Sequence, residues 1–79
     1  MYFTYIIRSG LDGRYYYGSA SDVHARLAAH NSGSSAYTKK FRPWYLVWFG
    51  AFGSKQKAEE FERYLKCGFG HAFSRKRLL

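Results

Sequence analysis

Carboxylates are scarce in this chain. Five Asp and Glu face 13 Lys and Arg, which leaves a formal charge of +8 on 79 residues. So few acids exclude a two-metal centre built on several converging carboxylates. Cysteine is nearly missing too: Cys67 stands alone, which rules out both a disulfide-stapled fold and a cysteine-based zinc module. No apolar run approaches the roughly 20 residues of a membrane span, and the first residues lack the basic, apolar, small-residue succession of a secretory signal. These absences predict a soluble protein, without membrane association, in a reducing, cytoplasmic compartment. The runs G-x-x-x-x-G-K-S/T, G-x-G-x-x-G and H-E-x-x-H are absent as well, so nucleotide-switch, dinucleotide and zinc-protease readings have no support.

What is present is aromatic and basic. Aromatics make up 22% of the residues, and a few large side chains must supply much of the core. A single core becomes marginal below roughly 70 to 80 residues, and no linker or repeat divides the chain, so one domain over residues 1–79 is expected. The charge excess points to a polyanionic partner, nucleic acid above all. Lys39, Lys40, Arg42, Arg75, Lys76 and Arg77 are the residues expected to meet phosphates, although each alone is equally well a solvated surface residue.

Residues 2–8 and 14–18 are β-branched and aromatic and flank the turn signal Ser9-Gly10-Leu11-Asp12-Gly13, which predicts an antiparallel hairpin. If its loop is even in length, as with a two-residue Asp12-Gly13 turn, odd positions of the first strand pair with even positions of the second. Tyr5 and Tyr16 then share a face. Ser21 or Asp22 caps a helix running to about Asn31, with Gly33 as its stop and Val23 and Leu27 as its buried stripe. Residues 31–43 read as a polar, basic loop with room for a short helical turn. Trp44 to Phe52 is almost wholly apolar and predicts a strand covered on both faces, the best candidate for the core. Ser54 caps a helix over about 55–66 with the stripe Ala58, Phe61 and Leu65, and the tail has room for one more short helix.

Each acid can be audited. Asp12 belongs to a turn and Asp22 to a helix start, whereas Glu59 and Glu60 project away from the apolar stripe. Glu62 lies at the edge of that stripe. Its plain reading is an i,i+4 ion pair with Lys66; its sharper one is a metal ligand, because a lone carboxylate suffices for Mg²⁺ when substrate supplies further oxygens. Arg26 and His30 stand one helical turn apart, within or beside the buried stripe. A desolvated cation there needs a partner or a bound anion. Each has an ordinary reading as well, Arg26 with its stem packed and its head in water, His30 bonded to a backbone carbonyl. Together, Tyr5 and Tyr16 from the hairpin, Arg26 and His30 from one helix and Glu62 from another predict one cationic, phenolic pocket. Such a set suits attack of water on a phosphodiester.

In order along the chain stand Phe3-Thr4-Tyr5, Tyr16-Tyr17-Gly18, Ala25-Arg26-Leu27-Ala28-Ala29-His30-Asn31-Ser32-Gly33, Tyr37-Thr38, Arg42-Pro43-Trp44 and Ala58-Glu59-Glu60-Phe61-Glu62. Their order and spacing resemble those of the GIY-YIG nuclease superfamily, in particular its small standalone members of the UPF0213 and URI type. The resemblance implies an α/β architecture of the α+β type, a three-stranded antiparallel sheet flanked by helices. It implies an endonuclease that hydrolyses DNA with one Mg²⁺ or Mn²⁺ ion. Tyr5 would be the base or water-orienting group, Tyr16 its catalytic neighbour, Arg26 the transition-state arginine, His30 an additional polar site residue and Glu62 the single metal ligand. A tyrosine base needs its proton affinity lowered, by Arg26 and the metal. Several nucleases of the superfamily also carry an asparagine well past the glutamate, where this chain has Ser74 and basic residues.

The alternative is a catalytically weak or inactive nucleic-acid-binding module of the same fold. RNA remains open as a partner, but a base-stacking RNA-binding domain is disfavoured because no RNP-like strand motif is present. A body this small is expected to act as a monomer or weak homodimer.

Overall fold

The computed structural model describes all 79 residues. The chain opens on β1 (Tyr2–Ser9) and returns antiparallel as β2 (Tyr15–Ala20). Ser9 N–H donates to the Arg14 carbonyl (2.8 Å), which leaves Gly10 to Gly13 as a four-residue loop in place of the two-residue turn offered as the example, and Gly13 takes the left-handed conformation at φ +79°. The Asp12 carboxylate accepts from the Arg14 N–H (3.1 Å) and from Arg14 Nε (2.8 Å), and so braces the loop. Four is still even, so the expected parity holds: Tyr5 pairs with Gly18 and Ile7 with Tyr16, and both tyrosines lie on one face.

The remaining elements are α1 (Val23–Ser32), α2 (Ala36–Lys39), β3 (Trp44–Phe52), α3 (Lys55–Lys66) and α4 (Gly68–Arg77). Asp22 caps α1 by accepting from the Ala25 N–H (3.0 Å), and Gly33 ends it at φ +92°, a backbone angle that glycine takes without strain. Ser54 caps α3 through the Lys57 N–H (3.2 Å). Asn31, at the end of α1, fixes the start of β3 with two bonds. Its side-chain oxygen accepts from the Trp44 N–H (2.6 Å), and Nδ2 donates to the Trp44 carbonyl (3.0 Å).

β3 pairs antiparallel with β1 on the side opposite β2, giving the sheet order β2-β1-β3. The expectation that residues 44–52 form a strand covered on both faces is therefore corrected. β3 is an edge strand, with Tyr45 61% and Phe49 48% exposed; β1 is central, and Thr4, Tyr5, Ile6 and Ile7 are all buried. The misreading has a physical cause, since an unbroken apolar run does not distinguish two covered faces from one covered face and one aromatic, half-wet face. A register shift opposite Ile6 and Ile7 lets β3 turn Leu46 and Trp48 to opposite layers.

Alternation along β1 sorts the core into two layers. Odd positions Tyr5 and Ile7 pack with Ala20, Val23 and Trp44 beneath α1 and α2. The even position Ile6 packs with Tyr17 and Leu65 beneath α3, where Thr4 Oγ1 also donates to the Ala58 carbonyl (2.6 Å). α4 closes against α3 at backbone distance, because a Cβ placed on Gly70 would overlap the Tyr64 carbonyl.

Candidate active site

Tyr5 is buried on the central strand, and its ring runs across Gly18 toward the outer edge of β2. A Cβ at position 18 would sit inside contact distance of Tyr5 Oη and Cζ, so only glycine there leaves the ring its path. At the end of that path Tyr5 Oη bonds to His30 Nε2 (2.9 Å), and His30 Nδ1 bonds to Thr38 Oγ1 (2.8 Å). Thr38 is buried on α2, where its carbonyl accepts from Trp44 Nε1 (2.7 Å). Tyr16 leans edge-on against the His30 imidazole, with ring centres 5.1 Å apart.

Burial governs the titration of this pair. It pushes the Tyr5 phenol above its ordinary 10.0; Tyr16 and Glu62 add to that, and Arg26 opposes it. Burial, and then the Arg26 charge, push the His30 imidazole below 6.5. At neutral pH the bonded pair is a phenol and an uncharged imidazole. Arg26 acts on the Tyr5 phenol in the expected direction, toward ionisation, but in the protein alone desolvation outweighs it.

Arg26 is exposed, so of the two placements expected it lies beside the buried stripe of α1 and not within it. Val23 and His30 are the fully buried residues of that helix, and Arg26 lies at the margin of the layer with its charge in water. There it lines a groove of about 240 Å³ with Tyr16, Ala29, His30, Ser34 and Ser35. Glu62 arrives from the other layer. Its side chain is 20% exposed; Oε1 accepts from Ser19 Oγ (2.7 Å), and Oε2 pairs with Lys66 Nζ (2.7 Å). Ser19 follows Gly18 on β2, so Glu62 reaches the same edge of the sheet that Tyr5 approaches from the opposite face. Its charge is near enough to oppose ionisation of Tyr5. The single pocket anticipated for all five residues is thus replaced by a rim. Tyr16, Arg26 and His30 line a groove on one side of β2, Tyr5 backs them, and Glu62 stands round the edge.

No three His, Cys, Asp or Glu side chains gather into a metal-binding group. Glu62 offers one carboxylate with a serine hydroxyl beside it, a hard oxygen donor set. That chemistry fits Mg²⁺ or Mn²⁺ retaining waters and taking substrate oxygens, and it does not fit zinc. The six basic residues divide into two groups. Lys39, Lys40 and Arg42 are exposed at and after α2, and Arg75, Lys76 and Arg77 on the last turn of α4, in the other layer.

Ser19 and Thr38 escape sequence reasoning as site residues. Each acts by one hydrogen bond to a residue distant in the chain, and only the motif strings containing Ser19's neighbour Gly18 and Thr38 itself mark the places. Ser74, where several nucleases have asparagine, is buried; it lies 3.4 Å from Tyr17 Oη and donates to the His71 carbonyl (2.9 Å).

Residues 1–74 match the model of the GIY-YIG catalytic domain. A UPF0213 protein of Streptococcus pneumoniae is 45% identical over 56 residues, which are 70% of this chain and 57% of that protein. The UPF0213 protein YazA of Bacillus subtilis is 36% identical over 66 residues, 82% of this chain and 66% of that one. The chain therefore spans less than two thirds of these two relatives. A solution NMR structure of a UPF0213 protein from Bacillus halodurans superposes with a TM-score of 0.58 at 30% identity, covering 99% of this chain and 87% of the other. It shares the three-stranded antiparallel sheet flanked by helices. The tyrosines of the hairpin, the helix carrying Arg26 and His30 and the later helix carrying Glu62 all fall within the matched span, and the chain belongs to the GIY-YIG family, a superfamily of nucleases that act on DNA.

Proposed function

We propose that the protein is a divalent-metal-dependent endonuclease that hydrolyses DNA phosphodiester bonds at the β2 rim with one metal ion. The supporting observation is the meeting at one sheet edge of the hydrogen-bonded Tyr5–His30 pair, the Arg26 groove and the Ser19-anchored carboxylate of Glu62. The Arg26 guanidinium, in water at the groove wall, binds a non-bridging phosphate oxygen and balances the charge that grows there. Tyr16 and the Tyr5 hydroxyl orient the attacking water. Tyr5 is too strongly held in its neutral form to act as a base by itself, but its hydroxyl touches the neutral His30 imidazole. A proton taken from water by Tyr5 Oη can thus leave through His30 Nε2 as attack proceeds. Thr38 keeps the imidazole turned for that transfer. Glu62, with Ser19 beside it, would hold a Mg²⁺ or Mn²⁺ ion, which would supply Lewis-acid charge stabilisation there.

The test uses labelled single-stranded, duplex and branched DNA with Mg²⁺ or Mn²⁺ and an EDTA control. Glu62→Gln is expected to abolish cleavage while DNA affinity stays within about twofold, and Arg26→Ala to lower cleavage by roughly 10² or more. Cleavage retained by Glu62→Gln overturns the role given to the carboxylate. A second reading, a binding module without catalysis, is favoured by Ser74: its hydroxyl is spent in the core where several nucleases carry an asparagine. Binding of DNA without nicks under every metal condition selects that reading.

A further inference from the structure

Both oxygens of Glu62 are already in use, and the two partners differ in what they permit. Ser19 Oγ is neutral and can keep its bond to Oε1 while a cation sits at the other oxygen. Lys66 Nζ cannot. It is a full positive charge 2.7 Å from Oε2, on the side a divalent ion would take. The pair is i,i+4 on α3, an arrangement that on an ordinary helix surface contributes little. Here the carboxylate is 20% exposed and is held from another element by Ser19, so it does not follow the lysine when the lysine moves. The lysine is 50% exposed, at the last residue of α3, and its only carboxylate partner is Glu62. Its stem is free to swing outward.

We propose that Lys66 is an internal stand-in for the metal: its ammonium occupies the Glu62 position in the free protein, and a divalent ion must displace it to bind. This rests on Glu62 being the metal ligand. Removing the charge at position 66 should therefore tighten metal binding in the absence of any nucleic acid, while moving no residue that touches substrate.

The experiment follows Mn²⁺-induced broadening of the Ser19 and Glu62 amide NMR signals in the full chain, with the metal alone as probe. Lys66→Met is expected to reach half-broadening at a Mn²⁺ concentration roughly three- to tenfold below that of the parent protein, the range for removing one nearby, partly screened charge. Lys66→Arg, which keeps the charge, should behave like the parent, and Glu62→Gln should lose the effect. An unchanged Mn²⁺ dependence in Lys66→Met, with broadening lost in Glu62→Gln, overturns the displacement and leaves the metal ligand standing. Parent-like broadening in Glu62→Gln removes the ligand itself. Tightening in both Lys66→Met and Lys66→Arg shows that charge is not the cause and also overturns the proposal. Lys66→Gln serves in place of Lys66→Met if that variant disturbs signals elsewhere.

Discussion

Burial acts on Tyr5 and His30 in one sense, holding each in its neutral form. For His30 the folded-state value lies below the 6.5 of the unfolded chain. As pH falls below 6.5 the unfolded chain takes up a proton that the folded protein refuses, so unfolding becomes easier until the folded-state value is passed. Urea unfolding at pH 7 and pH 5 is expected to show a loss of stability in the parent protein that is smaller in His30→Gln, because the variant lacks the titrating group. Equal losses in the two proteins would place the pH sensitivity elsewhere. Under the proposed function, cleavage that needs the neutral imidazole would have its acid limb below 6.5 for the same reason. The bond between Tyr5 and His30 spans 25 residues; hairpin parity makes legible that Tyr5 and Tyr16 share a face, and His30 joins them in the sequence only as a member of the expected pocket. The clearance over Gly18 and the Thr38 and Ser19 bonds were not legible. None leaves a periodic trace, because each depends on where the helices finally rest.

Helices and strands differ in how plainly they announced themselves. α1 and α3 carry their caps in the sequence, Asp22 and Ser54, and both sites form the expected bonds. β3 is legible as a strand over Trp44–Phe52 but not as an edge strand, because composition reports that a segment is apolar and not which neighbour it lacks. For Arg26 the sequence leaves open whether it lies within or beside the stripe, because an apolar stripe on a helix has soft edges and one step around the axis separates core from water. α4 depends on something finer still, the absence of a side chain at Gly70. Gly70→Ala is expected to push α4 off the Tyr64 carbonyl and cost about 1–3 kcal/mol in denaturant unfolding. Gly68→Ala is the control on the same helix: a Cβ there meets nothing within 4 Å, so stability should hold or rise slightly. Equal effects of the two changes would mean that α4 does not depend on that close approach.

At the scale of the whole molecule, the +8 charge is carried by a body only 28 × 26 × 17 Å across. Along its longest axis that is roughly eight base pairs at about 3.4 Å each, so under the proposed function a lone copy would read little sequence and bind mainly phosphates. The two basic groups lie in opposite layers, one at and after α2 and the other on the last turn of α4. DNA affinity is expected to fall by roughly 10³ or more between about 50 and 200 mM salt if six or more phosphates are neutralised. A flat salt response would assign the charge to solubility alone. The excess of positive charge is legible from composition; the division of the cations between two layers is not, because it is set by how α2 and α4 pack.

The Arg26 groove opens along the side of an edge strand, and no tunnel has to be entered to reach it. Under the proposed function, a polymer is laid sideways across that ledge and a terminus confers no advantage. A closed circle presents its bonds as readily as a linear strand.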